Sequence, residues 1–92
     1  MTINLTNKTM KLYLVSRTDR WSWDDYDSFV VAAENEESVL DFHPKGQYYL
    51  TERDVRNGIY HGWTSKQNIN IECIGESNSL VEKVIISSFN AG

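Results

Sequence analysis

Lys11-Leu12-Tyr13-Leu14-Val15-Ser16-Arg17-Thr18-Asp19-Arg20-Trp21-Ser22-Trp23-Asp24-Asp25-Tyr26-Asp27-Ser28-Phe29-Val30-Val31-Ala32-Ala33 is the stretch on which the fold turns. Two apolar β-type runs, Lys11 to Arg17 and Ser28 to Ala33, bracket a polar, aromatic loop. In the first run Leu12 and Leu14 alternate with Tyr13 and Val15. Both faces are therefore apolar, and cover on both sides of that strand is expected. The simplest link between the runs is an antiparallel hairpin across Asp19–Asp27. That loop exceeds the usual length of about two to five residues, which points to a specific purpose.

Outward from this hairpin, Asn35 is a good N-cap, with Glu36 and Glu37 in the first turn of a short helix. Val39, Leu40 and Phe42 supply its buried stripe, and Pro44 and Gly46 end it after about two turns. Gln47 to Leu50 reads as a short strand or an aromatic loop. Thr51-Glu52-Arg53-Asp54 fits a capping box, with Gly58 as the stop of a second short helix. Ile59 to Trp63 reads as extended. Asn68 to Ile74 is a half-exposed strand with Ile69, Ile71 and Cys73 on one face. Gly75 to Ser79 reads as a turn, and Val81 to Phe89 as the last strand. Met1 to Thr9 reads as a flexible leader before a single domain over 10–92. The order predicts an α+β fold: a small, mostly antiparallel four-stranded sheet with one or two short helices on one face.

The 92 residues bound the size of the core. Eleven aromatic side chains help so short a chain bury enough area. The formal net charge of −4, with acids and bases interspersed, argues against binding a phosphate backbone, which needs a basic face. The single Cys excludes an intrachain disulfide, and with two His it cannot complete a closed four-ligand zinc site. No apolar run approaches the ~20 residues of a membrane span, and Met1 to Met10 lacks the apolar core of a signal peptide. A cytoplasmic protein is the expectation.

The candidate site is the hairpin loop with its flanks: Arg17, Arg20, Trp21, Trp23, Asp24, Asp25 and Tyr26. Trp and Tyr dominate binding hot spots and also stack on nucleobases. Arg17 and Arg20 offer paired donors for a phosphate or carboxylate. The competing reading lays Trp21 and Trp23 on one face of the hairpin as sheet cover. The carboxylates Asp19, Asp24, Asp25 and Asp27 lack the spacing of a calcium loop, so a solvated charged loop is the better account. Cys73, sharing a face with Ile69 and Ile71, reads as a small buried hydrophobe rather than a nucleophile paired with His43 or His61. Tyr48, Tyr49, Tyr60, His61 and Trp63 read either as core or as a pocket completed by the first loop. No Gly-rich phosphate loop or metalloprotease pattern is present, and no cofactor is expected.

The segments Lys11 to Asp19, Asp24 to Val31, Ala33 to Glu37, His43-Pro44, Ile74-Gly75-Glu76 and Ile85 to Gly92 together carry a resemblance. The chain resembles small uncharacterised proteins of phage genomes and prophages, over most of its length except the leader and Gln47 to Gly62. The resemblance supplies a setting rather than a mechanism. In that setting small acidic accessory proteins inhibit host-defence proteins or sequester small signals. The leading expectation is a non-enzymatic protein that engages a host protein through the aromatic–acidic loop. The alternative is a sponge for a nucleotide signal. Open sheet edges make a homodimer or a larger homo-oligomer plausible in either case.

Overall fold

The computed structural model describes residues 9–20 and 23–90. Strands β1 (Met10–Arg17) and β2 (Asp25–Ala33) pair antiparallel, with Tyr13 opposite Val31 and Val15 opposite Phe29. Two later strands flank them. β5 (Ile69–Ser77) joins β1 and β6 (Lys83–Asn90) joins β2, giving the order β5-β1-β2-β6 with every neighbouring pair antiparallel. A two-stranded ribbon, β3 (Phe42–His43) with β4 (Gly46–Gln47), and two short helices, α1 (Glu36–Val39) and α2 (Glu52–Arg56), complete an α+β fold.

The period-two pattern of the central strands decides where the core lies. Tyr13, Val15, Phe29, Val31 and Ala33 share one face, and Val39, Phe42 and Trp63 close over it as one buried cluster. Trp63 meets Phe29 edge-on at 5.2 Å between centroids, a favoured aromatic geometry. The opposite face departs from expectation. Met10 and Ala32 are buried there, but Leu12, Leu14 and Val30 are only half-buried, so β1 is not covered on both sides.

Both caps form as their residues demand. Asn35 Oδ1 accepts from the Ser38 N–H at 2.9 Å. The Thr51 hydroxyl accepts from the Asp54 N–H at 3.0 Å, while the Asp54 carboxylate accepts from the Thr51 N–H at 3.1 Å. α1 is a single turn, shorter than expected, because Phe42 pairs in β3 instead of continuing the helix. Ile59 to Trp63 is a turn rather than an extended run, with His61 at φ +49° and Gly62 at φ +84°.

Strand boundaries also move: β6 begins at Lys83 rather than Val81, the preceding residues forming the bend after β5. β2 starts at Asp25 because β6 and Gly62 supply ladder partners that local propensity does not reveal. β5 runs on through Gly75 and Glu76, with a register shift that leaves Ile74 between the pairs Tyr13–Cys73 and Leu12–Gly75. Cys73 is exposed, not buried as its alternation implied. It lies on an edge strand, outside the cluster that Ile69 and Ile71 pack against. Of the leader expected over Met1 to Thr9, Met1 to Lys8 lie outside the described residues.

Candidate functional site

One end of the sheet gathers three segments. The β1–β2 connection meets the Tyr60–Ser65 turn and the end of β6. Asp24 donates its N–H to the Asn90 carbonyl at 2.7 Å, and Tyr26 donates to the Gly62 carbonyl at 2.8 Å. Gly62 is required at this junction. Besides its positive φ, a Cβ there would lie 3.3 Å from the Asp24 carbonyl oxygen and 3.5 Å from the Tyr26 ring.

Arg17 ties these segments together. Its Nε and Nη2 donate to the two carboxylate oxygens of Asp19 at 2.7 and 3.0 Å, and Nη1 donates to the Tyr26 carbonyl at 3.3 Å. The guanidinium carbon lies 6.0 Å from the Trp63 ring centroid, at the limit of a cation–π contact. Asp19 also accepts from the Thr64 hydroxyl at 2.7 Å. Hydrogen bonding from Arg17 outweighs the opposing effect of burial and, with the Thr64 bond, pulls the Asp19 carboxyl down to about 2. The Arg17 side chain is only 6% exposed. Its fork therefore meets the chain's own Asp19 carboxylate and organises the end of the sheet, instead of offering paired donors to a ligand phosphate or carboxylate.

The other proposed site residues fall into two groups. Arg20, Trp23 and Asp24 are exposed, and Trp23 is 68% accessible, so it does not serve as sheet cover. Asp24 takes φ +65°, a left-handed conformation that Asp tolerates in tight turns. Asp25 and Tyr26 are half-buried in β2. Trp21 lies outside the described residues.

Tyr26 opens a chain of rings across the covering layer. It sits edge-on to Phe89 at 4.7 Å and to His43 at 5.8 Å. His43 faces Tyr49 at 4.7 Å, and Tyr49 meets His61 at 5.6 Å. His43 is buried, and its tautomer follows from its partners. Nδ1 receives the Lys45 N–H at 2.9 Å and must be the acceptor. Nε2 therefore carries the hydrogen and donates towards the Tyr60 and His61 carbonyls at 3.1 and 3.0 Å. Burial, the largest influence, pushes the His43 pKa below its ordinary value. Both nitrogens thus hold loop backbone in place. The Cys73 thiol makes a long contact with the Gly75 carbonyl, at 3.8 Å. Among the described residues no group of three or more His, Cys, Asp or Glu is placed to hold a metal ion.

A groove of about 850 Å³ lies between the β3 region, α2 and the turn leading into β5. Leu40, Phe42, Val55 and Ile69 contribute apolar surface, Tyr48, Tyr60 and Trp63 contribute rings, and Arg56 and Lys66 contribute cations beside Asp41 and Glu52. Tyr48, Tyr60 and Trp63, candidate pocket residues in the sequence, line this groove, but none of the described residues from Arg17 to Tyr26 does. Arg56 and Lys66 carried no signal in the sequence, being isolated cations with no motif around them. Compared with protein-family models, curated proteins and solved structures, the chain matches none.

Proposed function

We propose that this chain is a non-enzymatic binding protein that engages a protein partner through the tip of the β1–β2 hairpin. The observation behind this reading is an exposed Trp23, flanked by Arg20 and Asp24, on a loop whose base is clamped by the Arg17–Asp19–Thr64 network. An aromatic anchor on a pre-organised loop loses little freedom on binding, and residues of this kind dominate interface energetics. Asp25 and Tyr26 belong to the same segment and extend the surface. The resemblance to phage proteins makes a cytoplasmic host-defence protein the proposed target. The test is affinity capture from a bacterial lysate with the wild-type chain, Trp23→Ala and Val55→Ala. One specific protein should be recovered by the wild type and Val55→Ala and lost with Trp23→Ala, at unchanged melting temperature. Equal recovery by all three, or unfolding of Trp23→Ala, removes the proposal.

A second reading rests on the groove. Its volume suits a small ligand, and it sets rings beside two cations, the combination that a nucleotide requires. In this reading Arg56 and Lys66, rather than Arg17, meet the phosphate. A nucleotide that raises the melting temperature of the wild type but not of Arg56→Ala/Lys66→Ala supports it. A panel of mono-, di- and cyclic nucleotides that leaves the melting temperature unchanged counts against it.

A further inference from the structure

Both histidines of the chain lie at one junction, and they differ in what they can do there. His61 is exposed, takes φ +49° and sets its Nε2 3.5 Å from the Asp54 carboxylate. His43 is 1% exposed, and its ring joins two turns that are separated in sequence. On one side Nδ1 accepts the Lys45 N–H across the β3–β4 turn at 2.9 Å. On the other, Nε2 reaches the Tyr60 and His61 carbonyls at 3.1 and 3.0 Å. The Tyr49 ring covers His43 at 4.7 Å between centroids. The segment from Lys45 to Tyr49, which carries β4, thus supplies both the bonded N–H and part of the cover, yet it contains no buried residue.

We propose that His43 is a proton-operated latch: its neutral ring holds the Lys45–Tyr49 segment down, and its protonation lets that segment lift while the four-stranded sheet stays intact. Donors and acceptors decide the outcome. The neutral ring matches its surroundings, with one acceptor facing one N–H and one N–H facing two carbonyls. The imidazolium has two donors and no acceptor. Its Nδ1–H points at the Lys45 N–H, donor against donor, and turning the ring over leaves the same mismatch. Burial adds to this, because a buried cation without a counter-ion is costly. The charged groups acting on the ring are Lys45 and His61, both basic, and the other titratable groups packed on it are the phenols of Tyr26 and Tyr49. None of these four is negative near neutral pH. Asp54 on α2 faces His61 and the Thr51 N–H instead. Lifting the segment frees the Lys45 N–H and uncovers the ring to water in one movement. It also relieves Tyr48, which takes φ +57°. The contacts that oppose it are few: the short β3–β4 pairing, the Tyr48 N–H to the Asp41 carbonyl, and the exposed Gln47 amide to Glu82. Phe42 remains in the core cluster, so the sheet keeps its cover. Tyr48 lines the groove, and acid therefore moves one of its walls, whatever the groove or the hairpin tip binds.

Hydrogen exchange of the Lys45 amide, followed by NMR from about pH 7.5 to about pH 5, tests the latch. At the upper end its protection should lie roughly tenfold or more below that of the Tyr13 and Val31 amides, which mark opening of the whole sheet. The lifted ring takes a proton near its ordinary 6.5 whereas the latched ring resists it, so Lys45 protection should fall by about tenfold per pH unit below that value. His61→Asn, with a residue at ease at positive φ, should retain this slope. His43→Asn, whose carboxamide can accept the same N–H without titrating, should lose it. Lys45 protection equal to that of Tyr13 and Val31 overturns the inference, because the segment then opens only with the whole chain. So does a wild-type profile that stays flat below 6.5, or a slope that disappears in His61→Asn. Should His43→Asn fail to fold, the wild-type and His61→Asn profiles decide the matter between them.

Discussion

Arg17 shows how one residue couples local chemistry to the fold. A nearly buried guanidinium is tolerable because the Asp19 carboxylate, the Tyr26 carbonyl and the Trp63 ring surround it. Asp19→Ala leaves that cation without its counter-ion. A loss of about 2–3 kcal/mol in chemical denaturation is expected. The same pair sets an acid limit. The folded carboxyl sits near 2, below its ordinary 3.8, so the unfolded chain binds the proton first. The contribution is intact above the ordinary value and fades as pH falls from there towards 2. His43 works in the same sense at higher pH. Its pKa is depressed from 6.5 by burial, so its stabilising contribution is present above that value and is lost progressively as pH falls below it. The melting temperature should therefore fall between pH 7.5 and 5.5. An NMR titration should place the His43 midpoint below 6.5; a midpoint above it would refute the buried, neutral ring.

At the scale of elements, the β1–β2 hairpin is longer and its loop shorter than local propensity indicates. Asp25 and Asp27, on either side of Tyr26, are weak strand formers, yet Asp25 and Tyr26 pair with Asn90 and Phe89. Their backbone is held by residues distant in sequence, Gly62 above all. Gly62→Ala should cost about 1–3 kcal/mol, from backbone strain and from crowding against the Asp24 carbonyl. A fully retained melting temperature would show that the close approach is easily relieved. The two helices, of four and five residues, cannot persist alone. Their caps were legible because an N-cap side chain acts within three residues. Their lengths were not, because β3 competes for Phe42.

For the whole molecule, layering sets the order of local stability. β1 and β2 are paired on both sides and carry most of the buried face, whereas β5 and β6 have one neighbour each. Amide hydrogen exchange should be slowest in β1 and β2 and faster in β5. Equal protection in β5 would mean that its outer edge is covered. The aromatic surface divides along the same lines. Phe29 and Trp63 are core, Tyr26 and Tyr49 join the ring chain, and Trp23 and Tyr48 remain exposed.

The strands, the caps and the α+β class could all be read from residue order, because apolar alternation and capping act over a few positions. Composition likewise bounded the chemistry: one Cys, two His and an acidic balance limit what a single chain can assemble. The strand order β5-β1-β2-β6, the exposure of Cys73 and Trp23, and the engagement of Arg17 by Asp19 depended on tertiary structure. So did the groove that brings Leu40, Arg56 and Lys66 together. In each case the deciding neighbour is distant in the chain or shares the residue with a competing partner. Local pattern can show that a side chain wants a partner, but only the packed chain selects which one it meets.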